Sequence, residues 1–309
     1  HQQHAAALRQ LLRPGQTQSF RVRVLDANGF TVAESVDPKS LKWEPFIPPT
    51  ALVKATLKGS FNAAGQLVAD LAPAGSAGQF KATLKGPDGK PISGYIKGRV
   101  LPALPLVQNF QTFALTNITT NTVESPTPFA YPPLPWNSAR SRFEVRGKDS
   151  AGGTNQALVK TIENKLFQRG QVFFGFPDMK NYTVEAEVLS EGNKRKMSEV
   201  GVINQRYAVI LKGNSQQMEV NSNQERIKVA VPFKWAPETW YHLKTRVDVA
   251  ADGSGVVRGK AWKKGDPEPE AWTIEVPHKK AHANGSPGLY GFAPQEMRVA
   301  IDNIRVTAN

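Results

Sequence analysis

GSPGLYGFAPQEMRVAIDNIRVTAN, residues 285–309, contains the run on which the fold turns, RVAIDNIRV at Arg298–Val306. Val299 and Ile301 alternate with polar or small neighbours, which is the period of a strand with one buried face. At Asp302–Asn303 the phase changes, and Ile304 and Val306 take up the alternation again. One extra residue inside a paired strand does this, so a β-bulge is expected there, with Val299, Ile301, Ile304 and Val306 in the core. A strand with that much apolar surface belongs inside a sheet, hydrogen-bonded to strands far upstream.

Candidate partners are plentiful. From Ser141 onward the sequence offers RFEVRG, QALVKTI, QVFFGF, YTVEAEVLS, VGVINQRYAVILKG, QMEVNS, RIKVAVPF, TWYHLKTRVDV, GVVRGKAW, AWTIEV and GLYGF. About a dozen antiparallel strands without a helix-period segment between them predict a two-sheet sandwich of the jelly-roll type over residues 141–309. Shorter strands fill residues 14–103. QSFRVRVLDANGFTV sets Phe20, Val22 and Val24 against Ser19, Arg21 and Arg23 and then turns at DANG, a hairpin signal. ALVKATLKG, GQLVADL, GQFKATLKG and GYIKGRVLP follow at the spacing of an immunoglobulin-like β-sandwich. The fold class expected is therefore all-β, one sandwich after another. Residues 1–13 read as two turns of helix or an ordered leader. Residues 104–140 carry prolines at 102, 105, 126, 128, 132, 133 and 135 in and around them and read as an extended connector, anchored by Phe110, Phe113, Phe129, Tyr131 and Trp136.

Composition narrows the function classes. The absence of cysteine excludes disulfides, zinc–thiolate sites and cysteine nucleophiles. It also fits an exported protein. No apolar run approaches the ~18–20 residues needed to span a bilayer. His1 stands first, and HQQHAAALRQLLRPG lacks the basic start and apolar core of a signal peptide. A processed product or a piece of a longer polypeptide is expected. The formal net charge of +13 is spread along the chain, so it reads as general solubility with some attraction to polyanions.

TWYHLKTRVDVAADGSGVVRGKAW, GSPGLYGF and VAIDNIRV resemble the Trp-bearing strand, hairpin, Gly-rich loop and closing strand of the concanavalin-like lectin/glucanase superfamily, including laminin-G-like and 3-keto-disaccharide hydrolase-like domains. A broader similarity runs through LRPGQTQSFRVRVLDANG, RGQVFFGFPDMKNYTVEAEV, VGVINQRYAVILKGN and PFKWAPETWYHLKTRVDV. These stretches resemble the C-terminal region of bacterial PQQ-like β-propeller repeat proteins. The resemblance implies a concanavalin-like jelly roll, export, and association with a propeller that this sequence lacks. Because the propeller repeats are absent, its cofactor is not carried over, and no cofactor is expected.

Catalytic signatures are missing: no phosphate loop, no His-Glu-x-x-His, no Gly-x-Ser-x-Gly. His278 and His282 of HKKAH are expected in a solvated loop. Glu185 and Glu187 share one face of YTVEAEV and are weak candidates for a glycosidase pair. The superfamily's glucanases have a third alternate acid, and here that position is Leu189, so a solvated strand face is expected. Asp248 and Asp252 near the AADGSG turn do not have calcium-loop spacing and are expected in a plain hairpin. No metal site is expected.

The best binding candidate is a face. Lys244 and Arg246 alternate with core residues in one strand, and Arg258, Lys260 and Trp262 do so in the next. The intervening turn makes like faces adjoin. Cations beside an indole could hold an acidic sugar. No pattern of interleaved aromatics suggests nucleic acid. The reading is a non-catalytic exported module that binds carbohydrate, an acidic glycan among the candidates, or a protein partner. The alternatives are a glycoside-acting enzyme and a structural or assembly component.

Overall fold

Strands separated by short turns make up the computed structural model of the chain, which is essentially all-β. It describes residues 9–118, 127–148, 155–161, 165–193, 195–294 and 297–309. Among these, helix is limited to short 3-10 turns such as Pro38–Ser40, and no helix is long and apolar enough to cross a membrane. The chain divides into two units, His1–Ala103 and Leu104–Asn309.

The first unit comprises β1 (Arg9–Leu12), β2 (Thr17–Gln18), β3 (Val22–Leu25), β4 (Thr31–Val36), β5 (Lys42–Phe46), β6 (Gly59–Phe61), β7 (Leu67–Ala69), β8 (Ser76–Lys85) and β9 (Pro91–Val100). A sheet ordered β1-β9-β8-β5 and a sheet ordered β2-β7-β6 enclose one core. Leu12, Phe80 and Val100 of the first meet Leu67 and Ala69 of the second, with Leu57 between and the Trp43–Phe61 stack beside them. Close approach is built in at Gly78, where a Cβ would lie 2.2 Å from the Leu57 backbone nitrogen. The expected DANG hairpin joins β3 to β4, with Asp26 Oδ1 accepting from the Asn28 and Phe30 amides and Gly29 at φ +87°. Of the two alternatives for the leader, the helical one fails where the leader is described. Its first eight residues lie outside the described ones, but Arg9–Leu12 is a strand parallel to β9, not a helix. Burial of Leu12 against the sheet outweighs the helix propensity of RQLL.

The second unit comprises β10 (Leu106–Gln108), β11 (Asn117–Ile118), β12 (Pro128–Phe129), β13 (Phe143–Gly147), β14 (Gln156–Lys160), β15 (Arg169–Phe173), β16 (Tyr182–Ser190), β17 (Glu199–Asn204), β18 (Tyr207–Lys212), β19 (Gln217–Ser222), β20 (Ile227–Pro232), β21 (Tyr241–Val249), β22 (Gly255–Lys263), β23 (Ile274–His278), β24 (Gly288–Phe292) and β25 (Val299–Ala308). One sheet runs β13-β14-β25-β16-β21-β22-β23, with β10 also on β25, and the other runs β15-β24-β17-β18-β19-β20. They pack face to face as a jelly-roll sandwich. Gly259 on β22 shows how tightly, since a Cβ there would meet Val209 and Met218 of the opposite sheet. Val184, Ala186, Val188, Leu243 and Val247 from one side and Val200, Val202, Val209, Leu211 and Leu289 from the other are fully buried.

β25 is the central strand its pattern predicts, paired with β14, β16 and β10. Its register against β16 passes from Glu185↔Arg305 to Glu187↔Asp302, which leaves one extra residue on β25, and Asn303 takes φ +46°. The bulge keeps Val299, Ile301, Ile304 and Val306 all fully buried.

The proline-rich residues from 104 to 140 belong to this unit instead of lying between two units. Residues 119–126 lie outside the described ones. β10 joins the sheet, Ala130 bridges Val145, and Asn137 bridges Phe173. Phe110 and Trp136 are buried, and Trp136 packs on Phe174 at 4.7 Å. Proline prevents long ladders here, so the large apolar side chains hold the segment down.

Candidate functional site

Alternation along β16, β21 and β22 sends every second side chain away from the core, and the register then lines those side chains up across the sheet. Asp302, Glu187, His242 and Trp262 form one row across β25, β16, β21 and β22. Arg305, Glu185, Lys244 and Lys260 form the next. Thr183, Arg246, Arg258 and Glu275 form the third. The four cations and Trp262 singled out in the sequence are thus brought to one face.

Each cation, however, already has a carboxylate. Arg246 Nε lies 2.8 Å and Arg258 Nη1 2.9 Å from Asp248 Oδ2, and Arg258 also reaches Glu275. The Arg246 hydrogen bond is the main reason the Asp248 carboxyl is held below its usual range, with Arg258 assisting. Lys244 and Lys260 converge on Glu268 Oε1 at 2.9 and 2.8 Å. Burial pushes the Glu268 carboxyl up, but the two lysines outweigh it and hold it low. Lys264 pairs with Glu187 at 2.7 Å. With Glu185 3.7 Å from Lys244, five cations face five carboxylates, and the face carries little net charge. Half-exposed pairs of this kind add only about 0–1 kcal/mol each to stability.

The loop between β22 and β23 supplies what the sequence reading missed. It returns Glu268 and Trp272 to the face. Lys260, 6% exposed, donates to the Pro269 carbonyl at 2.6 Å, and its ammonium lies 4.7 Å from the Trp272 ring and 5.9 Å from the Trp262 ring. The His242 ring stacks on Trp262 at 4.9 Å and 19°. Both indoles are half-buried. The Lys260 ammonium is thus held between two half-buried indoles.

Two sequence expectations fail here. Glu187 is not a solvated residue: it is 7% exposed and also accepts from Asn303 Nδ2 at 3.0 Å. The bulge turns Asn303 onto it, and no sequence pattern announces that contact. Beside it Asp302 is 2% exposed and accepts from the Asn303 amide and Asn155 Nδ2. Burial pushes the Asp302 carboxyl up to about 6, with the charge of Glu187 adding to the shift. Glu185, half-exposed, lies 3.7 Å from Lys244. Likewise His282 is not solvated. It is 8% exposed and its ring lies 4.5 Å from Tyr207. Asp252 does cap the β21–β22 turn, accepting from the Ser254 amide and hydroxyl.

The outer face of the other sheet holds a second polar chain that the sequence did not suggest. Tyr290 donates to Glu199 at 3.0 Å, and Lys212 pairs with Glu199 at 3.1 Å and Glu219 at 3.8 Å. Burial, reinforced by Glu199, raises the Tyr290 phenol. Among the described residues, no group of three or more His, Cys, Asp or Glu side chains is arranged to hold a metal.

No protein family's sequence profile matches the chain, and no curated protein sequence matches it. Solved structures with a similar arrangement include the PL-14 alginate lyase from Aplysia kurodai, at 9% identity and TM-score 0.38 over 55% of this chain and 88% of that one. An endo-β-1,4-glucuronan lyase from the fungus Trichoderma reesei matches at 10% identity and TM-score 0.36 over 66% of this chain and 95% of that one. The metal-free exoplasmic/lumenal domain of VIP36 matches at 9% identity and TM-score 0.38 over 66% of this chain and 91% of that one. Overlaps this loose carry no assignment of activity.

Proposed function

We propose that the second unit is a carbohydrate-binding module and that its site is the β21–β22 face with the loop that follows. The observation that carries this reading is the pair of half-buried indoles, Trp262 and Trp272, flanking the Lys260 ammonium, with His242 stacked on Trp262. Indole rings offer apolar faces to the C–H side of a pyranose. The surrounding carboxylates and ammonium groups offer charge-assisted hydrogen bonds to its hydroxyls. Because Lys244, Arg246, Arg258 and Lys260 are each paired internally, a sugar carboxylate or sulfate would have to displace Asp248 or Glu268. Hydroxyl recognition is therefore favoured over acidic-glycan capture. Export and association with a β-propeller belong to this proposal through the sequence resemblance alone.

The test is a glycan screen followed by calorimetry on the best ligand. Replacing Trp262 and Trp272 together by Ala should weaken binding by about 10-fold to 100-fold, the worth of two stacking contacts. Raising salt from about 50 to 500 mM should change affinity by less than about threefold, since screening acts on unpaired charge. A double variant that binds as the parent does would remove the site from this face.

A glycan-cleaving role has one observation in its favour. Glu187 and Asp302 stand side by side in the row that leads to Trp262, and their surroundings push Asp302 up, as in an acid–base pair. The burial of both carboxyls weighs against it. On this reading Asp302→Asn and Glu187→Gln each lower turnover by ~100-fold or more while sugar binding persists. Undiminished turnover in either variant rules the pair out.

A further inference from the structure

The HKKAH histidines meet at one end of the second unit. Tyr207, fully buried at the start of β18, lies between them: its ring is 5.8 Å from His278 and 4.5 Å from His282, and the two imidazoles are 5.8 Å apart. Short hydrogen bonds hold both rings. The Tyr207 hydroxyl oxygen accepts the His282 amide N–H at 3.0 Å and lies 2.6 Å from His278 Nδ1. In the tautomer with that nitrogen unprotonated, the phenol donates its hydrogen to it. His282 Nε2 lies 2.6 Å from the hydroxyl of Ser222, itself 3% exposed.

These bonds secure the segment that runs from Lys279 to Pro287. The same segment is tied at four more points. Gln205 Nε2 donates to the His282 carbonyl, and Tyr182 donates to the Gly285 carbonyl at 2.7 Å. The Ala281 and Gly285 amides donate to Gly253 and Met179 at 2.9 Å each. The hairpin turn beneath it is costly to hold: Gln205 and Arg206 both sit at positive φ, 50° and 72°, without being glycine. A fully buried Gln205 side chain bonded to the segment, with the Asn181 amide donating to its Oε1, helps stabilise that turn.

We propose that the segment Lys279–Pro287 is a proton-operated latch, closed while His278 and His282 are neutral and released when they are protonated. With His278 Nδ1 as the acceptor in the closed latch, a proton there turns it into a donor, so the Tyr207 oxygen faces two donors and its own hydrogen loses its acceptor. A proton on His282 places charge in a pocket that is 8% exposed, beside a second imidazole. The charged and titratable groups around the cluster are Tyr182 from β16, Arg206 from the β17–β18 turn, Glu225 from the β19–β20 turn and Asp252 from the β21–β22 turn. Lys279 and Lys280 on the segment itself, and Asp178 and Lys180 beside Met179, are exposed. Burial lowers the His282 imidazole first, and His278 and Arg206 lower it further against the opposing pull of Glu225. Release would free the β21–β22 turn at Gly253 and the end of edge strand β23.

Native-state hydrogen exchange on the whole chain at pH 7.5, 6.5 and 5.5 tests this. After correction for intrinsic rates, the Ala281 and Gly285 amides should keep their protection to within about twofold between pH 7.5 and 6.5 and lose it by up to about tenfold between 6.5 and 5.5, the slope of one-proton linkage below the ordinary histidine value, while β16 and β17 amides keep theirs. His278→Gln with His282→Gln should abolish that slope. Should the double variant not fold, an NMR titration of the unaltered protein decides: the midpoint of segment opening must coincide with protonation of His278 or His282. Equal protection at all three pH values, a slope that survives in the double variant, or a midpoint that matches neither imidazole would overturn the latch.

Discussion

At the scale of single residues, Asp302 is where burial and chemistry conflict most. Its folded-state carboxyl titrates at about 6, against a usual value of 3.8, so the native chain holds a proton that the unfolded chain releases. The stabilisation from that proton is fully present below pH 3.8, shrinks as pH rises toward 6, and is gone above. The whole swing is on the order of 1–3 kcal/mol. Asp302→Asn should therefore flatten the stability profile between pH 4 and 6, measured by urea unfolding at fixed protein concentration. An unchanged slope would mean that Asp302 titrates normally. His282 works the other way: its folded value is lowered, so its contribution is full above the ordinary histidine value and declines as pH falls through it. Glu187 shows why the face could only partly be read from spacing. Alternation placed it correctly on the outer side of β16, but its solvation depended on Asn303 and Lys264, residues more than seventy positions away.

Among the elements, β1 and β25 make opposite points about propensity and pattern. Nothing in RQLL asks for a strand; it becomes one because Leu12 fills the core between two sheets. Leu12→Ala should destabilise the first unit by about 2–5 kcal/mol, the cost of a large-to-small change at a site that cannot collapse. Chemical denaturation followed by the fluorescence of Trp43 would report it, and a loss below about 1 kcal/mol would contradict the packing described. In β25 the pattern alone announces both strand and bulge. Deleting Asn303 removes the extra residue and turns either Val299 and Ile301 or Ile304 and Val306 to the outer face, so cooperative thermal unfolding should disappear. Asn303→Gly, which accepts positive φ, should keep a cooperative transition. If the deletion variant melts as the parent does, the bulge does not set the register.

For the whole molecule, the division at residues 103 and 104 places the aromatic-rich stretch with the second unit. A fragment of residues 104–309 should melt cooperatively and bind glycan as the full chain does. One that begins at residue 141 should not, because it lacks β10 beside β25 and the Phe110–Trp136–Phe174 packing. Differential scanning calorimetry on the two fragments distinguishes these outcomes, and equal melting of both would return the stretch to the role of a connector. Net charge also looks different at this scale. A chain at +13 still presents a nearly neutral face at β21–β22, because Asp248, Glu268 and Glu275 gather there.

Periodicity determined the all-β class, the strands, the bulge in β25, and the side of the β21–β22 hairpin on which Lys244, Arg246, Arg258, Lys260 and Trp262 stand. These follow from the sequence because a strand's two-residue repeat is local, and burial of one face fixes its sign. What neutralises those cations, which second indole flanks Lys260, and why Glu187, Asp302 and His282 are buried were decided only by the tertiary structure. Each depends on a loop or a neighbouring strand that returns from far along the chain, and the free energy of such contacts resides in the packing, where no local pattern of residues records it.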